Sequence, residues 1–185
     1  MATRRVAVFI DAENVAVSSS SAILEEAMRH GVLTERRAYG DFSRPALASW
    51  LEALPRHALT PFQTAGGAVG KNGADIALVI DAMEMLCADE ADVFCLATSD
   101  GDFTQLAMRV RQRGKTAIGI GRASASSRFR AACDRFTVIE TPERIARPTA
   151  TATPPKRRKL EQSLLREAMT GMAPSGDGWV NLSEL

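Results

Sequence analysis

Short apolar runs alternate with longer amphipathic segments along most of this 185-residue chain. Runs rich in β-branched residues that stop at polar residues are typical of strands buried on both faces. The pattern predicts strands over Arg5–Ile10, Val32–Tyr39, Ala58–Gln63, Val93–Thr98, Thr116–Ile120 and Phe136–Ile139. It predicts helices over Ala22–His30, Pro45–Leu54, Ala74–Cys87, Asp102–Arg113 and Ser126–Cys133. This alternation favours an α/β fold with a mostly parallel central sheet and helices on both of its faces.

The pattern changes after Ile145, where the segment ARPTATATPPKRRK combines Pro, Thr and Ala with four consecutive cations. Such a composition predicts an extended linker. Helical periodicity resumes over Leu160–Met172 and is followed by the turn-like sequence GDGWVNLSEL. About 25 residues cannot bury a core of their own. We therefore divide the chain into a main domain over residues 1–145, a linker over 146–159, and a tail over 160–185 that either packs on the main domain or begins a second one.

Composition excludes several classes of protein. The formal net charge is only +1, which excludes a uniformly basic nucleic-acid-binding protein but leaves room for local patches. Three cysteines form an odd count without metal-type spacing, so we expect neither a disulfide framework nor a zinc site. The two histidines, His30 and His57, leave few candidates for histidine-dependent catalysis. No apolar run approaches the roughly 20 residues of a membrane helix, so we expect a soluble cytoplasmic protein with no membrane partner.

Acidic residues gather where the predicted strands end. Asp11 follows the first strand, Asp100 and Asp102 follow the strand over Val93–Thr98, and Asp75 opens the most apolar helix. Parallel sheets bind ligands at the carboxyl ends of their strands. Carboxylates that converge there repel each other and need a cation, and hard oxygen ligands without His or Cys favour Mg²⁺ or Mn²⁺. The alternative is that each acid is only a turn or cap residue, with Asp102 capping the next helix.

The helix over Ala74–Cys87 is so apolar that we expect it to be buried on most of its surface. Asp81 lies about 240° around this helix from Asp75, at about 100° per residue, so the two acids do not share a face. A buried acid needs partners. Asp81 is therefore either a structural hydrogen-bond acceptor or a second-layer support of the acidic site.

The charges are segregated along the chain. Residues 71–102 hold one cation, Lys71, and eight acids, whereas residues 103–135 hold eight cations and one acid. An acidic, metal-attracting segment followed by a basic one suits a nuclease, because cations can hold the phosphates that flank the cleaved one. Arg122, Arg128 and Arg130 follow a predicted strand in a Gly/Ser-rich segment and are the best phosphate-binding candidates. The alternative is an ordinary solvated surface.

The motifs FIDAENV, KNGADIALVIDAM and CLATSDGDFTQL occur in this order and together resemble the NYN domain, specifically its LabA-like (DUF88) branch within the PIN-like ribonucleases. The resemblance covers roughly residues 4–140 and implies a three-layer α/β/α fold, metal-dependent RNA cleavage and RNA as the partner. It implies that four acids hold Mg²⁺ or Mn²⁺ and activate water, namely Asp11, Asp75, Asp100 and Asp102. Asn14 and Ser99 match supporting polar positions, and Lys71 is a candidate RNA contact.

The tail LLREAMTGMAPSGDGWVNLSEL resembles the start of an OST-HTH (LOTUS) domain, a small module associated with RNA binding. A simple C-terminal helix is the alternative for this tail. Whether the whole chain forms a homodimer is left open.

There are three rival functions. A haloacid-dehalogenase-like phosphatase also has a metal-binding Asp after its first strand, but it needs Asp-x-Asp where this chain has Asp11-Ala12-Glu13. A dinucleotide-binding domain would need a G-x-G-x-x-G turn after the first strand, which is missing here. A non-catalytic RNA-binding adaptor is the rival from another class, with structural acids and function in the basic segment and tail.

Overall fold

The computed structural model describes residues 3–64 and 72–139. Within them six strands form one sheet in which all neighbours are parallel, in the order β3-β2-β1-β4-β5-β6. The strands are β1 (Arg5–Asp11), β2 (Val32–Gly40), β3 (Thr60–Gln63), β4 (Val93–Ala97), β5 (Thr116–Gly121) and β6 (Arg135–Val138). The order reverses between β1 and β4, so the sheet has its topological switch point there, where ligands bind in open α/β sheets.

Among the described residues, five helices connect the strands and cover both faces of the sheet. They are α1 (Ser20–Met28), α2 (Trp50–Arg56), α3 (Gly73–Cys87), α4 (Thr104–Gln112) and α5 (Ser127–Ala132). Single 3₁₀ turns lie over Val17–Ser19, Pro45–Leu47 and Gly101–Phe103. Helices α1 and α2 belong to one core cluster and α3, α4 and α5 to the other. The predicted α/β class, with its parallel sheet between two helical layers, is therefore confirmed.

Strand β1 shows why the acidic edge faces α3. Val6, Val8 and Ile10 pack in the core on the α1 side, while Ala7 and Phe9 pack on the α3 side. Side chains alternate along a strand, so Asp11 continues the second row and points to the α3 side. All residues from Val6 to Asp11 are buried, as expected for a central strand covered on both faces.

Two sequence-based helix predictions differ from the structure. The segment predicted as one helix from Pro45 to Leu54 is a 3₁₀ turn over Pro45–Leu47 followed by α2, which begins at Trp50. The helix predicted from Asp102 begins at Thr104, because the residues before it form another 3₁₀ turn. In both cases the first turn winds more tightly than an α-helix, as is common at helix N-termini.

The expectation that α3 is buried on most of its surface is wrong. Its inner row packs on the sheet through Ala74, Leu78, Ala82, Met85 and Leu86. Ile76 and Ile80 on its outer row are each 58% exposed. The helix covers the sheet with one face only, so apolar composition alone overestimated its burial.

Some of the sequence-based expectations fall outside the described residues. These are the RNA-binding role of Lys71, the linker over 146–159 and the module over 160–185. Within the part of the chain that the structure does describe, no helix is both long enough and apolar enough to span a membrane.

Candidate active site

A cavity of about 370 Å³ opens at the carboxyl edge of the sheet. Its lining residues come from the loops after β1, β2 and β4 and from the start of α3: Glu13, Asn14, Arg44, Ala46, Leu47, Asn72, Asp75, Asp100 and Asp102. Asp11, the last residue of β1, is buried and close enough to Asp75 to raise its pKa. The fold thus brings the four acids that sequence analysis singled out to one edge of the switch point.

Asp11 is held in a fixed orientation by three hydrogen bonds. The Asn14 backbone N–H donates to Oδ1 at 3.2 Å, and the Asn14 side-chain Nδ2 donates to Oδ2 at 2.8 Å. Thr98 Oγ1 also donates to Oδ2, at 2.9 Å. Burial raises the pKa of Asp11, and the bonds from Asn14 and Thr98 oppose that rise because they favour the carboxylate. Asn14 therefore orients the Asp11 carboxylate and favours its ionised form.

Thr98 ties Asp11 to the acidic turn that follows β4. Its hydroxyl donates to Asp11 and also accepts the backbone N–H of Asp100 at 3.1 Å. Asp100 in turn accepts the backbone N–H of Asp102 at 3.0 Å and so caps the 3₁₀ turn that leads into α4. The alternative in which Asp102 caps the next helix is wrong, because α4 follows Phe103 without a side-chain cap and Asp100 instead caps the 3₁₀ turn before it. Its capping role leaves Asp100 on the wall of the cavity.

Asp75 carries the strongest electrostatic signature of the site. It is half-buried in the first turn of α3, where the helix dipole favours an acid. Its pKa is nevertheless raised to about 6, first by burial and then by repulsion from Asp11, Asp100, Glu13 and Asp102. The repulsion that adds to burial means that these acids lie close enough to act on one another.

The donor set fits a hard divalent cation in its chemistry. Among the described residues on the cavity wall, each titratable ligand candidate is a carboxylate and none is His or Cys. Within residues 3–64 and 72–139, however, no three His, Cys, Asp or Glu side chains stand close enough together to hold a metal ion as they are oriented. Carboxylates on the cavity wall would have to turn towards a bound ion.

Asp81 and Ser99 have structural partners. Asp81 accepts Arg37 Nη1 at 3.0 Å and Tyr39 Oη at 2.8 Å, both from β2, and does not line the acidic cavity. Its contacts match the structural alternative considered for it. Ser99 Oγ accepts the backbone N–H of Arg122 at 2.9 Å, which joins the end of β5 to the acidic turn.

The three candidate RNA-binding arginines differ in their positions. Arg122 is exposed beside the cavity, where its Nη2 donates to the Asn14 carbonyl at 3.3 Å. Arg130 lies over the Phe136 ring at 5.1 Å and donates to the Ala123 carbonyl. Arg128 is exposed on α5. Among the hydrogen bonds between described residues, only that of Arg122 joins one of the three to a residue of the cavity wall.

Sequence reasoning missed three residues of this site. Glu13 lies two residues after Asp11 and contributes a fifth negative charge; its place in the FIDAENV motif was the available signal. Thr98 is the buried hydroxyl that contacts Asp11, whereas its neighbour Ser99 was chosen. Arg44 comes from the loop between β2 and α2, and no sequence pattern pointed to it.

Comparison with known proteins gives a family and a fold. Residues 5–140 match the NYN domain family. A crystal structure of a protein of unknown function from Vibrio parahaemolyticus RIMD 2210633 has a TM-score of 0.62 and 19% sequence identity, and the match covers 75% of this chain and 94% of that one. At this identity the likeness shows the fold alone. No curated protein matches the chain significantly.

Proposed function

This chain belongs to the NYN domain family, and from that premise we propose that it is a ribonuclease that hydrolyses RNA phosphodiesters with the help of Mg²⁺ or Mn²⁺. The family belongs to the PIN-like nuclease superfamily, which suggests a nuclease role. The observation that carries the proposal is the acidic cavity at the switch point, where burial and repulsion among the acids raise the pKa of Asp75 to about 6. Its proposed catalytic and metal-binding residues are Asp11, Asp75, Asp100 and Asp102.

The contacts of these acids indicate different roles for them. Asp11 is fixed by Asn14 and Thr98, so its carboxylate loses little orientational freedom when a ligand binds. Asp100 is fixed by its role as a cap. Asp75 and Asp102 line the cavity. A divalent ion held there would stabilise negative charge on the phosphate and lower the pKa of a bound water.

The chain's own carboxylates orient the attacking water and take its proton. As the water oxygen bonds to phosphorus, the bond from phosphorus to the leaving ribose oxygen breaks, and that oxygen takes up a proton from solvent water. One product strand then ends in a phosphate and the other in a hydroxyl. Burial of Asp11 and Thr98 below the cavity keeps bulk water from competing for the hydrogen bonds that hold Asp11.

The RNA backbone is the proposed partner of the basic residues. Arg122 stands beside the cavity, and Arg128 and Arg130 continue the basic surface along α5. We assign Lys71 to the same role on its position in the K-x-x-x-D segment. These cations hold phosphates next to the cleaved one and take no part in the chemistry.

Further parts of the proposal rest on the sequence alone. The chain is a LabA-like (DUF88) member of the family, active in the cytoplasm. Its main domain spans residues 1–145, a linker spans 146–159, and residues 160–185 begin an OST-HTH module that adds RNA affinity. Asn14 and Ser99 support the acids, and Asp81 is structural. A homodimer is compatible with this assignment.

The competing functions are less well supported. A non-catalytic RNA-binding adaptor would have no use for four or five acids repelling each other in one cavity, because such repulsion costs stability. A phosphatase of the haloacid-dehalogenase type lacks its second aspartate here, since Glu13 stands at that position.

A nuclease assay tests the proposal. The full chain is incubated with single-stranded, structured and tRNA-like RNAs in the presence of Mg²⁺, Mn²⁺ or EDTA. We expect cleavage of at least one RNA with a divalent ion and none with EDTA. RNA that is bound but stays intact under every metal condition would support the adaptor, and cleavage that persists in EDTA would contradict metal dependence.

A further inference from the structure

Arg44 is the single cation on the wall of the acidic cavity among the described residues. It lines the same cavity as Asp75, Asp100 and Asp102, and its charge helps to lower the pKa of Asp41. Within residues 3–64 and 72–139, however, its guanidinium makes no ion pair within 4.0 Å. An arginine side chain can donate five N–H bonds in a planar fork that matches a phosphate. Arg44 is therefore available to an anion that enters the cavity.

The loop that carries Arg44 is held firmly by its backbone. Asp41 is 5% exposed and accepts bonds from the Ser43 backbone N–H at 3.2 Å and from Gln63 Nε2 at 2.8 Å. The Arg44 N–H donates to the Asp41 carbonyl, and the Arg44 carbonyl accepts the Leu47 N–H at 2.9 Å. Pro45 starts the 3₁₀ turn that follows. The Arg44 side chain thus projects from a fixed backbone.

Asn14 separates two cavities, each with one arginine on its wall. Arg44 lines the acidic cavity, and Arg122 lines a smaller cavity on the other side of Asn14. The acids therefore have a cation on the β2 side and another on the β5 side. Resting on the function proposed above, we propose that Arg44 binds an RNA phosphate on the β2 side of the cleaved one, so that the bound strand crosses the switch point from Arg122 to Arg44.

A simpler role for Arg44 is to offset the repulsion among the acids. The two roles give different results. A phosphate contact contributes to RNA affinity and to its salt dependence, because binding releases counterions from the RNA backbone. A counter-charge alone contributes to stability. Its removal would strengthen the binding of a divalent cation and leave the RNA salt dependence unchanged.

The test uses the full chain in an Asp100→Asn background, which should bind RNA without cutting it and keeps the cap because Asn caps as well as Asp. Binding of a fluorescent single-stranded RNA is measured by anisotropy over a series of salt concentrations. Arg44→Ala is compared with Arg113→Ala, which removes the same charge from an exposed position at the end of α4. Arg44→Lys tests whether a point charge suffices.

We expect Arg44→Ala to weaken binding by about three- to tenfold and to reduce the salt slope by about 0.7. Arg113→Ala should change neither, and Arg44→Lys should restore most of the slope but not all of the affinity. With Asp100 intact, the KM for RNA should rise while kcat stays within about twofold. An unchanged slope, or no RNA binding by the parent, would overturn the inference. Failure of the proposed function alone would give a different result: RNA binding would depend on Arg44, but the wild type would cut no RNA.

Discussion

Replacing Asp75 by Asn should stabilise the fold at neutral pH and leave its stability nearly unchanged near pH 4. The unfolded chain releases the Asp75 proton around pH 3.8, whereas the folded chain keeps it until about pH 6. Between these values the folded state binds more protons, so the stability of the wild type falls as pH rises through this window. Asn has no proton to lose, so the variant escapes this penalty.

The size of the effect follows from the pKa and the surroundings of Asp75. A rise from 3.8 to about 6 corresponds to about 3 kcal/mol as an upper bound. Asp75 is half-buried at an open cavity, and screening by solvent reduces this to about 1.5 kcal/mol. Loss of the negative charge at the start of α3 also removes a favourable interaction with the helix dipole, which costs about 0.5 kcal/mol of stability. The net gain is about 1 kcal/mol, or a urea midpoint higher by roughly 0.5 M.

Urea unfolding in EDTA at a series of pH values from acid to neutral measures this difference. Asp89→Asn is the matched control, because the pKa of Asp89 is lowered by Lys115 and Arg5 at the opposite edge of the sheet. Asn tolerates the positive φ of 55° at position 89. Asp89→Asn should therefore be less stable than the wild type at neutral pH, and the difference should fade on acidification. Asp75→Asn should show a difference of the opposite sign at neutral pH. A difference between wild type and Asp75→Asn that does not vary with pH would refute the reasoning.

Three further changes probe the supports of the site. Thr98→Val removes the donor to Asp11 and should lower the free energy of unfolding, measured in urea, by about 1–3 kcal/mol. Thr98→Ser keeps a hydroxyl and should retain most of the wild-type stability. Equal losses in the two variants would mean that the hydroxyl is unimportant. Gly121→Ala places a Cβ against the Thr98 carbonyl oxygen and should lower Tm by roughly 4–10 °C, and an unchanged Tm would show that β5 moves aside easily. Arg122→Ala combined with Arg128→Ala should reduce the salt slope of single-stranded RNA binding by about 1.4; an unchanged slope would place the RNA elsewhere.

The sequence predicted the sheet well because its central strands are continuous apolar runs. Strands β1 and β4 are buried on both faces, so their composition alone identifies them, and the acids that follow them must lie at the same edge of a parallel sheet. Asp75 could be added because it opens a helix after a glycine-rich stretch. These signals are local, because each depends only on the residues of one strand or helix and not on contacts with distant segments.

The remaining features depend on contacts between distant segments. Arg44 reaches the cavity only because the loop after β2 is folded around Asp41. The partners of Asp81 lie on β2, far upstream in the chain, so its role could not be settled from its own helix. The exposure of Ile80 depends on which layer covers α3, and composition does not report that.

Metal-dependent cleavage of RNA by the wild type and by Asp100→Asn, measured side by side, tests the central claim most directly. The substitution keeps the shape and the cap of the acidic turn and removes one negative charge from the cavity. Asp89→Asn makes the same chemical change at the opposite edge and serves as the control. We expect the wild type and Asp89→Asn to cut RNA with Mn²⁺ at similar rates and Asp100→Asn to lose at least about a hundredfold in rate. Cleavage by folded Asp100→Asn at the wild-type rate would contradict the assignment of this cavity as the active site.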